Sequence, residues 1–295
     1  MKNVKNAKNI KTKDIEKRNI KTKNIGAREN IKPIKSLGQN FLKDSIILGK
    51  IVQSIPLNMQ ESLHRGDVRL IEIGIGLGDL TRVLIEKYSL LAYEIDSRLI
   101  ENAKVLFKDA MQDGRLNIER ADALKISKGG GYLFEREYFL VANLPYYIAT
   151  SIILQAIRDE KCRGFVVMVQ REVAEKICAS VSSGDFGALS VLVQTFGAVR
   201  YLFSVPKECF TPAPKVESAV ISYEAFSDRK EIPHNLESIL KIAFSNPRKK
   251  LFSNLLKLDS KENLTLMFEN LGLKENTRAH EVSCEKYIEI ARRFI

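Results

Sequence analysis

From about residue 45 onward, short apolar runs alternate along the chain with segments in which apolar residues recur at helical spacing. The apolar runs predict strands at 68–73, 90–95, 116–119, 139–142 and 165–169. The periodic segments predict helices at 46–55, 79–87, 97–107, 149–158 and 171–181. Strands that alternate with helices are typical of a mostly parallel sheet covered by helices on both faces.

The pattern changes in the last third of the chain. Two further runs, 199–205 and 216–223, predict strands that pair as a hairpin and bring the sheet to seven strands. After Pro233 only helical periods follow, at 235–245, 248–258, 260–271 and 283–293. We therefore predict an α/β domain over residues 32–229 and a smaller, all-helical domain over residues 230–295.

Positive charge is concentrated at the N-terminus. The 295 residues have a formal net charge of +11, but residues 1–35 hold twelve Lys or Arg and three Asp or Glu, which leaves 35 basic against 33 acidic residues elsewhere. Residues 1–31 show no sustained helical period, so we predict a disordered basic tail. The tail is interpreted either as a phosphate-binding arm or, preferably, as an extension with little function.

Composition argues against several classes of protein. No apolar run approaches the ~20 residues that span a bilayer, and no hydrophobic signal segment follows the N-terminus, so we expect a cytoplasmic protein. The four cysteines are spaced 16, 31 and 75 residues apart, which fits neither a zinc site nor a disulfide framework. Only three histidines occur, and they are scattered, so we expect no metal.

The segment E-I-G-I-G-L-G-D-L-T, residues 72–81, places glycines between a strand and a helix, where the backbone can approach a ligand closely. Its G-x-G-x-G spacing differs from the G-x-G-x-x-G of dinucleotide-binding folds. Glu94 ends the next strand, where a carboxylate can accept hydrogen bonds from both ribose hydroxyls. Asp122 follows the third strand, where an acid can bind an adenine amine. Either acid can instead be a helix N-cap, but together they favour a nucleoside-bearing cofactor.

The segment N-L-P-Y-Y, residues 143–147, follows the fourth strand at the same edge of the sheet. Asn143 offers a side-chain carbonyl, and Pro145 stiffens the chain so that the Leu144 carbonyl can also face the pocket. Two such acceptors can bind both hydrogens of an exocyclic amine and stabilise the charge that grows as its nitrogen attacks. Tyr146 offers a face on which a base can stack. The alternative is a strand-ending turn with a core tyrosine.

Six segments in chain order resemble motifs of one family. They are S-L-G-Q-N-F-L (36–42), the glycine segment (71–81), N-L-P-Y-Y-I (143–148), M-V-Q-R-E-V-A (168–174), F-T-P-A-P-K-V (210–216) and A-F-S-N-P-R-K-K-L (243–251). They resemble the KsgA family of S-adenosylmethionine-dependent ribosomal RNA adenine dimethyltransferases over roughly residues 35–294. The implied fold is a Rossmann-like class I methyltransferase sheet followed by a helical, RNA-binding C-terminal domain.

The resemblance also implies a site and a substrate. S-adenosylmethionine is expected to be surrounded by Asn40, Leu42, Gly74, Glu94, Asp122 and Asn143, and the target adenine to lie between Tyr146 and Phe210. The implied enzyme is a monomer that dimethylates two adjacent adenosines near the 3′ end of small-subunit rRNA, late in subunit assembly. Three positions depart from the family pattern: Ala121 replaces a frequent Gly, Pro247 a usual Arg, and R-A-H-E at 278–281 a common R-P-E.

Two basic clusters are the expected RNA contacts. The first is Arg248, Lys249 and Lys250 in the helical domain, and the second is Lys207 and Lys215 beside the proline-rich loop. Each of these side chains can equally be a solvated surface residue.

Three alternative functions remain at this point. Erythromycin-resistance dimethylases perform the same chemistry on large-subunit rRNA, but Gly38, the paired Tyr146 and Tyr147 and the chain length favour the small-subunit enzyme. A non-catalytic rRNA-binding assembly or transcription factor is disfavoured because Asn143, Tyr146 and Glu94 are all present. A nicotinamide-dependent oxidoreductase is disfavoured by the glycine spacing.

Overall fold

A computed structural model describes residues 31–229 and 232–295 of the chain. The basic tail, of which only Ile31 is included, lies outside these described residues. Its predicted disorder and its two interpretations therefore stay predictions.

The centre of the fold is a seven-stranded mixed sheet. Its strand order is β4-β3-β2-β5-β6-β9-β7, in which the first five strands are parallel and the last two are antiparallel to their neighbours. The predicted sheet and its closing hairpin are thus confirmed. The strands are β2 (Arg69–Ile73), β3 (Leu90–Glu94), β4 (Leu116–Arg120), β5 (Tyr138–Asn143), β6 (Cys162–Gln170), β7 (Gly197–Val205) and β9 (Ser218–Ala225).

The chain order of the strands reverses between β2 and β5. From β2 the chain continues outward through β3 and β4, whereas from β5 it continues to the other side through β6. Such a reversal opens a crevice at the carboxyl ends of the two central strands, which is where ligands bind in open α/β sheets. A separate two-stranded sheet, β1 (Phe41–Leu42) paired with β8 (Phe210–Thr211), supplies residues near this crevice.

Helices cover both faces of the sheet, and two buried apolar clusters lie between them and the strands. Strands β5 and β6 are buried almost throughout, as expected for strands with both faces covered. The helices within the α/β region are α1 (Ser45–Gln53), α2 (Leu57–Arg65), α3 (Asp79–Ile85), α4 (Ser97–Leu106), α5 (Lys108–Gln112), α6 (Tyr146–Arg158), α7 (Arg171–Cys178) and α8 (Ala188–Phe196).

Three of these helices were not predicted from the sequence. Helix α2 is mostly polar, with Leu63 as its one buried residue, and it begins directly after Pro56. Helix α5 is a five-residue extension after α4. Helix α8 is apolar nearly all round, a pattern that periodicity alone does not separate from a strand.

The C-terminal region is helical, as predicted. The predicted helix at 248–258 is shorter than expected, because residues 248 and 249 lie in a turn, the extended residue Lys250 bridges Arg278 in an antiparallel contact, and the helix ends at Leu255. The helices are α9 (Leu236–Ala243), α10 (Leu251–Leu255), α11 (Lys261–Asn270) and α12 (Cys284–Arg293).

The C-terminal helices continue one of the two apolar clusters of the sheet. Leu236 and Tyr287, for example, belong to the same buried cluster as Ile152 and Phe165. Just before the proposed boundary, the buried Arg229 guanidinium donates hydrogen bonds to the carbonyls of Ile157, Asp159, Glu160 and Cys162. Residues 230 and 231 lie outside the described part of the chain, so the two-domain division at 230 stays a prediction.

Candidate active site

A cavity with an empty volume of about 780 Å³ lies at the carboxyl ends of β2, β3 and β5. Its lining includes most of the residues predicted for the site. We call Gly74, Glu94 and Asp122 the cofactor wall, and Asn143, Leu144 and Tyr146 the amine wall; Asn40 lies in the same lining.

The glycine turn of the cofactor wall follows β2. Gly74 has φ +79°, in the left-handed region, and a Cβ added there would meet no atom within 4 Å, so the backbone borders open space. Gly78 has φ +83°, and a Cβ there would lie 2.5 Å from the Phe107 ring. The first glycine thus permits close approach by a ligand, whereas the last permits close packing of α3.

Glu94 is a buried carboxylate that backbone amides hold in place. Its Oε1 accepts hydrogen bonds from the amides of Ile95 and Asp96 at 2.9 Å each, and its Oε2 accepts one from the Gly76 amide at 3.3 Å. Burial raises the pKa of this carboxyl, although the three amides oppose the shift. A carboxylate can accept about four hydrogen bonds and three are taken, so Oε2 can accept one more, from a ribose hydroxyl.

Asp122 is a helix cap, which was one of the two roles that the sequence left open. Its Oδ1 accepts a hydrogen bond from the Leu124 amide at 3.1 Å and so caps the 3-10 helix Ala123–Lys125. The same residue lines the cavity. Capping therefore orients the carboxylate without removing it from the site.

Asn143 is oriented by a residue far away in the sequence. Its Nδ2 donates a hydrogen bond to the main-chain carbonyl of Asn40 at 3.1 Å. Because a carbonyl only accepts, the amide must present its NH₂ group to Asn40, which leaves Oδ1 as the acceptor on the other side. The next residue is also anchored, since the Leu144 amide donates to the Met168 carbonyl at 3.2 Å.

Tyr146 is partly buried, and its ring is held at the far end. Its hydroxyl forms a short hydrogen bond with the hydroxyl of Ser218, a fully buried residue at the start of β9. Burial raises the pKa of the Tyr146 phenol, while the bond to Ser218 acts in the opposite direction. The phenol therefore stays neutral near pH 7 and serves as a fixed aromatic surface.

Two of the predicted residues lie behind the cavity rather than in its wall. Leu42 and Phe210 face each other in the small β1–β8 sheet, where 5% and 4% of their surfaces are exposed. Leu42 lines a smaller neighbouring cavity together with Gly74 and Asn143. Phe210 is part of a buried apolar cluster. Enclosure of a base between Tyr146 and Phe210 stays a prediction.

Gln39 was not predicted as a site residue from its chemistry. Its Nε2 donates to Asp96 Oδ2 at 3.0 Å, and its Oε1 accepts from the Ile34 amide at 2.7 Å. The hydrogen bonds from Arg98 hold the pKa of Asp96 at about 2, so Asp96 is a reliably charged anchor. The hydrogen bonds of Gln39 fix the segment that carries Asn40. The sequence signal for this role was the pair of polar residues, Gln39 and Asn40, within the otherwise apolar segment L-G-Q-N-F-L.

Glu72 is a second residue that sequence reasoning left without a role. It is fully buried behind the glycine turn, accepts a hydrogen bond from the Thr81 hydroxyl at 2.7 Å and borders the smaller cavity. Burial raises its pKa to about 8. The sequence signal for a role of Glu72 was an acidic residue at the next-to-last position of the buried strand β2.

All five predicted RNA-contact residues, Lys207, Lys215, Arg248, Lys249 and Lys250, are exposed. Lys207 and Lys215 flank the loop that carries Phe210, and the other three precede α10. Lys250 lies 3.5 Å from Glu275, so part of its charge is compensated within the protein. Their contact with RNA stays a prediction.

Neither a metal site nor a membrane-spanning helix is found in the described ranges, 31–229 and 232–295. No three His, Cys, Asp or Glu side chains in them are grouped so that they could hold a metal ion. No helix in them is both long and apolar enough to cross a bilayer.

The cavity residues fit S-adenosylmethionine. Hydrogen-bond acceptors at two neighbouring strand ends, Glu94 and Asp122, match the hydroxyls of a ribose and the amine of an adenine. The open space beside Gly74 admits a ligand to the backbone. The acidic side chains of Glu94 and Asp122 in the same lining are also compatible with a cationic sulfonium group.

Comparison with known proteins shows the family of this chain. The model of the family described as ribosomal RNA adenine dimethylase matches residues 30–295. A protein of Helicobacter hepaticus named ribosomal RNA small subunit methyltransferase A is 47% identical over 88% of this chain and 90% of its own length. The protein of that name from Campylobacter hominis is 46% identical over 87% of this chain and 94% of its own length.

Two solved structures share the fold. A dimethyladenosine transferase from Plasmodium falciparum superposes with a TM-score of 0.71 at 23% identity, covering 86% of this chain and 97% of that one. The 23S rRNA methyltransferase ErmE superposes with a TM-score of 0.63 at 22% identity, covering 86% and 99%. The predicted class I methyltransferase fold is confirmed.

Proposed function

The chain belongs to the ribosomal RNA adenine dimethylase family, and from that premise we propose that it dimethylates the N6 amines of two adjacent adenosines near the 3′ end of small-subunit rRNA. It is an S-adenosylmethionine-dependent rRNA methyltransferase, as the sequence motifs implied. Relatives more than 40% identical are named for the small subunit, whereas the 23S rRNA methyltransferase ErmE, at 22% identity, is similar in fold.

One observation supports the assignment of roles within the site. The cofactor wall and the amine wall line a single cavity, so a methyl donor and an amine bound there would meet. A methyltransferase needs this juxtaposition, because its rate depends on holding the two reacting atoms close together and in line.

We assign cofactor binding to Asn40, Leu42, Gly74, Glu94, Asp122 and Asn143. When bound, S-adenosylmethionine supplies a methyl group on a positively charged sulfur, with a neutral thioether as leaving group. Glu94 accepts a hydrogen bond from the ribose, and Asp122 accepts one from the adenine amine. Gly74 lets the backbone approach the ligand.

The amine wall acts on the nucleophile. The hydrogen bond from Asn143 Nδ2 to the Asn40 carbonyl leaves Asn143 Oδ1 on the opposite side of the amide. This oxygen and the Leu144 carbonyl accept the two hydrogens of the N6 amine. The amine lone pair is delocalised into the purine, and two such acceptors favour the pyramidal nitrogen whose positive charge grows during attack. The proton is lost from the nitrogen after transfer, and no histidine is required for this step.

The second methyl transfer constrains the same site. After one transfer the nitrogen keeps a single hydrogen, so one acceptor of the amine wall is left without a donor. The site must therefore admit a methyl group beside one of the two carbonyls. Tyr146 keeps the base in plane in both rounds because its ring is anchored to Ser218.

The particle and the setting are further parts of the proposal. A near-complete small subunit is the expected substrate, with contacts to the basic residues at 207, 215 and 248–250. The protein is expected to act as a monomer in the cytoplasm. The region 230–295 is expected to behave as the RNA-binding domain.

The test is methyl transfer from radiolabelled S-adenosylmethionine to small subunits isolated from cells that lack this modification. We expect label in dimethyladenosine, located by mass spectrometry at two adjacent positions near the 3′ end of the small-subunit rRNA. Large subunits and fully methylated small subunits are the matched controls. Label in large-subunit rRNA would favour the resistance-type activity, and subunit binding without any transfer would favour a non-catalytic factor.

A further inference from the structure

Tyr146 and Tyr147 open helix α6 and line the same cavity, but their environments differ. Tyr146 is anchored through its hydroxyl to the buried Ser218. Tyr147 is 59% exposed. Consecutive residues of an α-helix point about 100° apart, so the two rings serve different surfaces. The reaction as derived above uses only Tyr146.

Tyr147 lies against the segment that orients the amine wall. A Cβ added at Gly38 would be 3.2 Å from Cδ1 and 3.5 Å from Cε1 of Tyr147, and Gly38 has φ +60°. A side chain at residue 38 would therefore press on the ring. Gly38 and Tyr147 are 109 positions apart in the sequence, and in the fold they are neighbours.

We propose that Tyr147, seated against Gly38, stacks with the nucleotide adjacent to the target adenosine and so positions the RNA strand. This inference rests on the proposed function. The target base lies beside Tyr146, so the next nucleotide of the strand leaves the cavity at its rim. Among the described residues that line the cavity, Tyr147 is the aromatic side chain with more than a third of its surface exposed.

The chemistry of the substrate suits such a surface. Every base has a flat face, so an aromatic ring holds a neighbouring nucleotide without requiring hydrogen bonds to its edge. Because the strand has a fixed direction, a platform on one side of the cavity meets the nucleotide on that same side of whichever adenosine is the target. One platform therefore serves both positions in turn without requiring the same base each time.

The competing explanation is that Tyr147 only packs on Gly38 and supports the cofactor-binding segment. The two explanations predict different kinetic constants. A stacking platform contributes to the KM for small subunits, whereas a packing support contributes to the affinity for S-adenosylmethionine through residues 38–40.

Three variants separate these explanations when assayed on unmodified small subunits. Tyr147→Ala removes the ring, Tyr147→Leu keeps an apolar contact with Gly38 without an aromatic face, and Tyr147→Phe keeps the face. We expect the alanine and leucine variants to raise the KM for subunits roughly tenfold, equivalent to about 1.4 kcal/mol. Their kcat should change less than twofold, and phenylalanine should restore the low KM.

The outcomes are distinguishable. An unchanged subunit KM in the alanine variant, or a leucine variant equal to wild type, would overturn the stacking role. A weaker Kd for S-adenosylmethionine in the alanine variant, measured by calorimetry without RNA, would assign the ring to packing instead. If wild-type protein itself transfers no methyl group, the proposed function fails first. Because Tyr147 is mostly exposed, its variants should keep the wild-type melting temperature, which is the control for folding.

Discussion

On the cofactor wall, Glu94 and Asp122 are oriented mainly by backbone amides within two residues of themselves. On the amine wall, Asn143 depends on Asn40, which is 103 residues away, and Tyr146 on Ser218, which is 72 residues away. The cofactor wall is thus built by local chain geometry at strand ends. The amine wall exists only when the small β1–β8 sheet, β5 and β9 are assembled around it.

This difference suggests how the two walls respond to substitution. A change in the cofactor wall should act on ligand affinity and remain local. A change in the amine wall, or in its distant partners, should act mainly on the rate of transfer. Asn143 and its partner Asn40 are also assigned to cofactor binding, so changes there should weaken the affinity for S-adenosylmethionine as well, whereas changes at Tyr146 and Ser218 should not.

The largest effect is expected for Asn143→Ala. Loss of one polar group that stabilises a transition state costs about 2.7–4 kcal/mol, so methyl transfer should fall by roughly 100- to 1,000-fold. The affinity for small subunits should barely change, because the side chain lies inside the cavity. Single-turnover transfer and filter binding measure the two quantities. Full activity in this variant would remove Asn143 from the reaction.

A smaller effect is expected for Glu94→Gln. A hydrogen bond to a charged group contributes about 1.5–3 kcal/mol, so the Kd for S-adenosylmethionine should rise between roughly tenfold and a hundredfold.

The same pair of proteins tests the charge of Glu94. Because its pKa is raised by burial, the charged form is lost at a higher pH than for an ordinary glutamate as the pH falls. Wild-type affinity should therefore weaken on acidification, while that of the glutamine variant should stay level. Parallel titration curves for the two proteins would show that the carboxylate does not bind the cofactor.

Glu72→Gln is expected to change the pH dependence of stability. The folded-state pKa of Glu72 is about 8, above its ordinary value of 4.5, so the folded protein binds this proton more tightly than the unfolded chain does. The contribution of Glu72 to the free energy of unfolding is complete below about pH 4.5 and is lost as the pH rises from there through about 8. Wild type should lose up to about 1.4 kcal/mol per pH unit relative to the variant in that window.

Urea unfolding of both proteins at several pH values between 5 and 8 measures this difference. A constant difference in the free energy of unfolding across that range would mean that Glu72 is ionised in the folded protein.

The smallest effect is expected for Ser218→Ala, which removes the partner of the Tyr146 hydroxyl. One neutral hydrogen bond contributes about 1 kcal/mol, so we expect the rate of transfer to fall roughly fivefold with an unchanged Kd for S-adenosylmethionine.

Tyr146→Phe removes the same bond from the other side. If loss of this hydrogen bond causes the slower transfer, the variant that carries both substitutions should be no slower than the slower of the two single variants. Additive losses would show that the two side chains act separately.

Much of the fold followed from the pattern of apolar positions. All seven sheet strands and the hairpin were predicted, because buried strands leave short apolar runs bounded by turn residues. Helices α2 and α8 were missed for opposite reasons. The first is mostly polar and buries only Leu63, so its sequence resembles a loop, and the second is mostly apolar, so its sequence resembles a buried strand.

The sequence by itself determined the residues that end the strands: glycines after β2, Glu94 after β3, Asp122 after β4 and Asn143 after β5. Parallel strands bring such residues to one edge, so their chemistry was readable in chain order. Only the tertiary structure decided which way they point. The Asn40 carbonyl orients the Asn143 amide, Ser218 anchors Tyr146, and Gly38 seats Tyr147. Contacts between residues 70 to 110 positions apart leave no periodic trace along the chain, because they arise only when separate elements pack together.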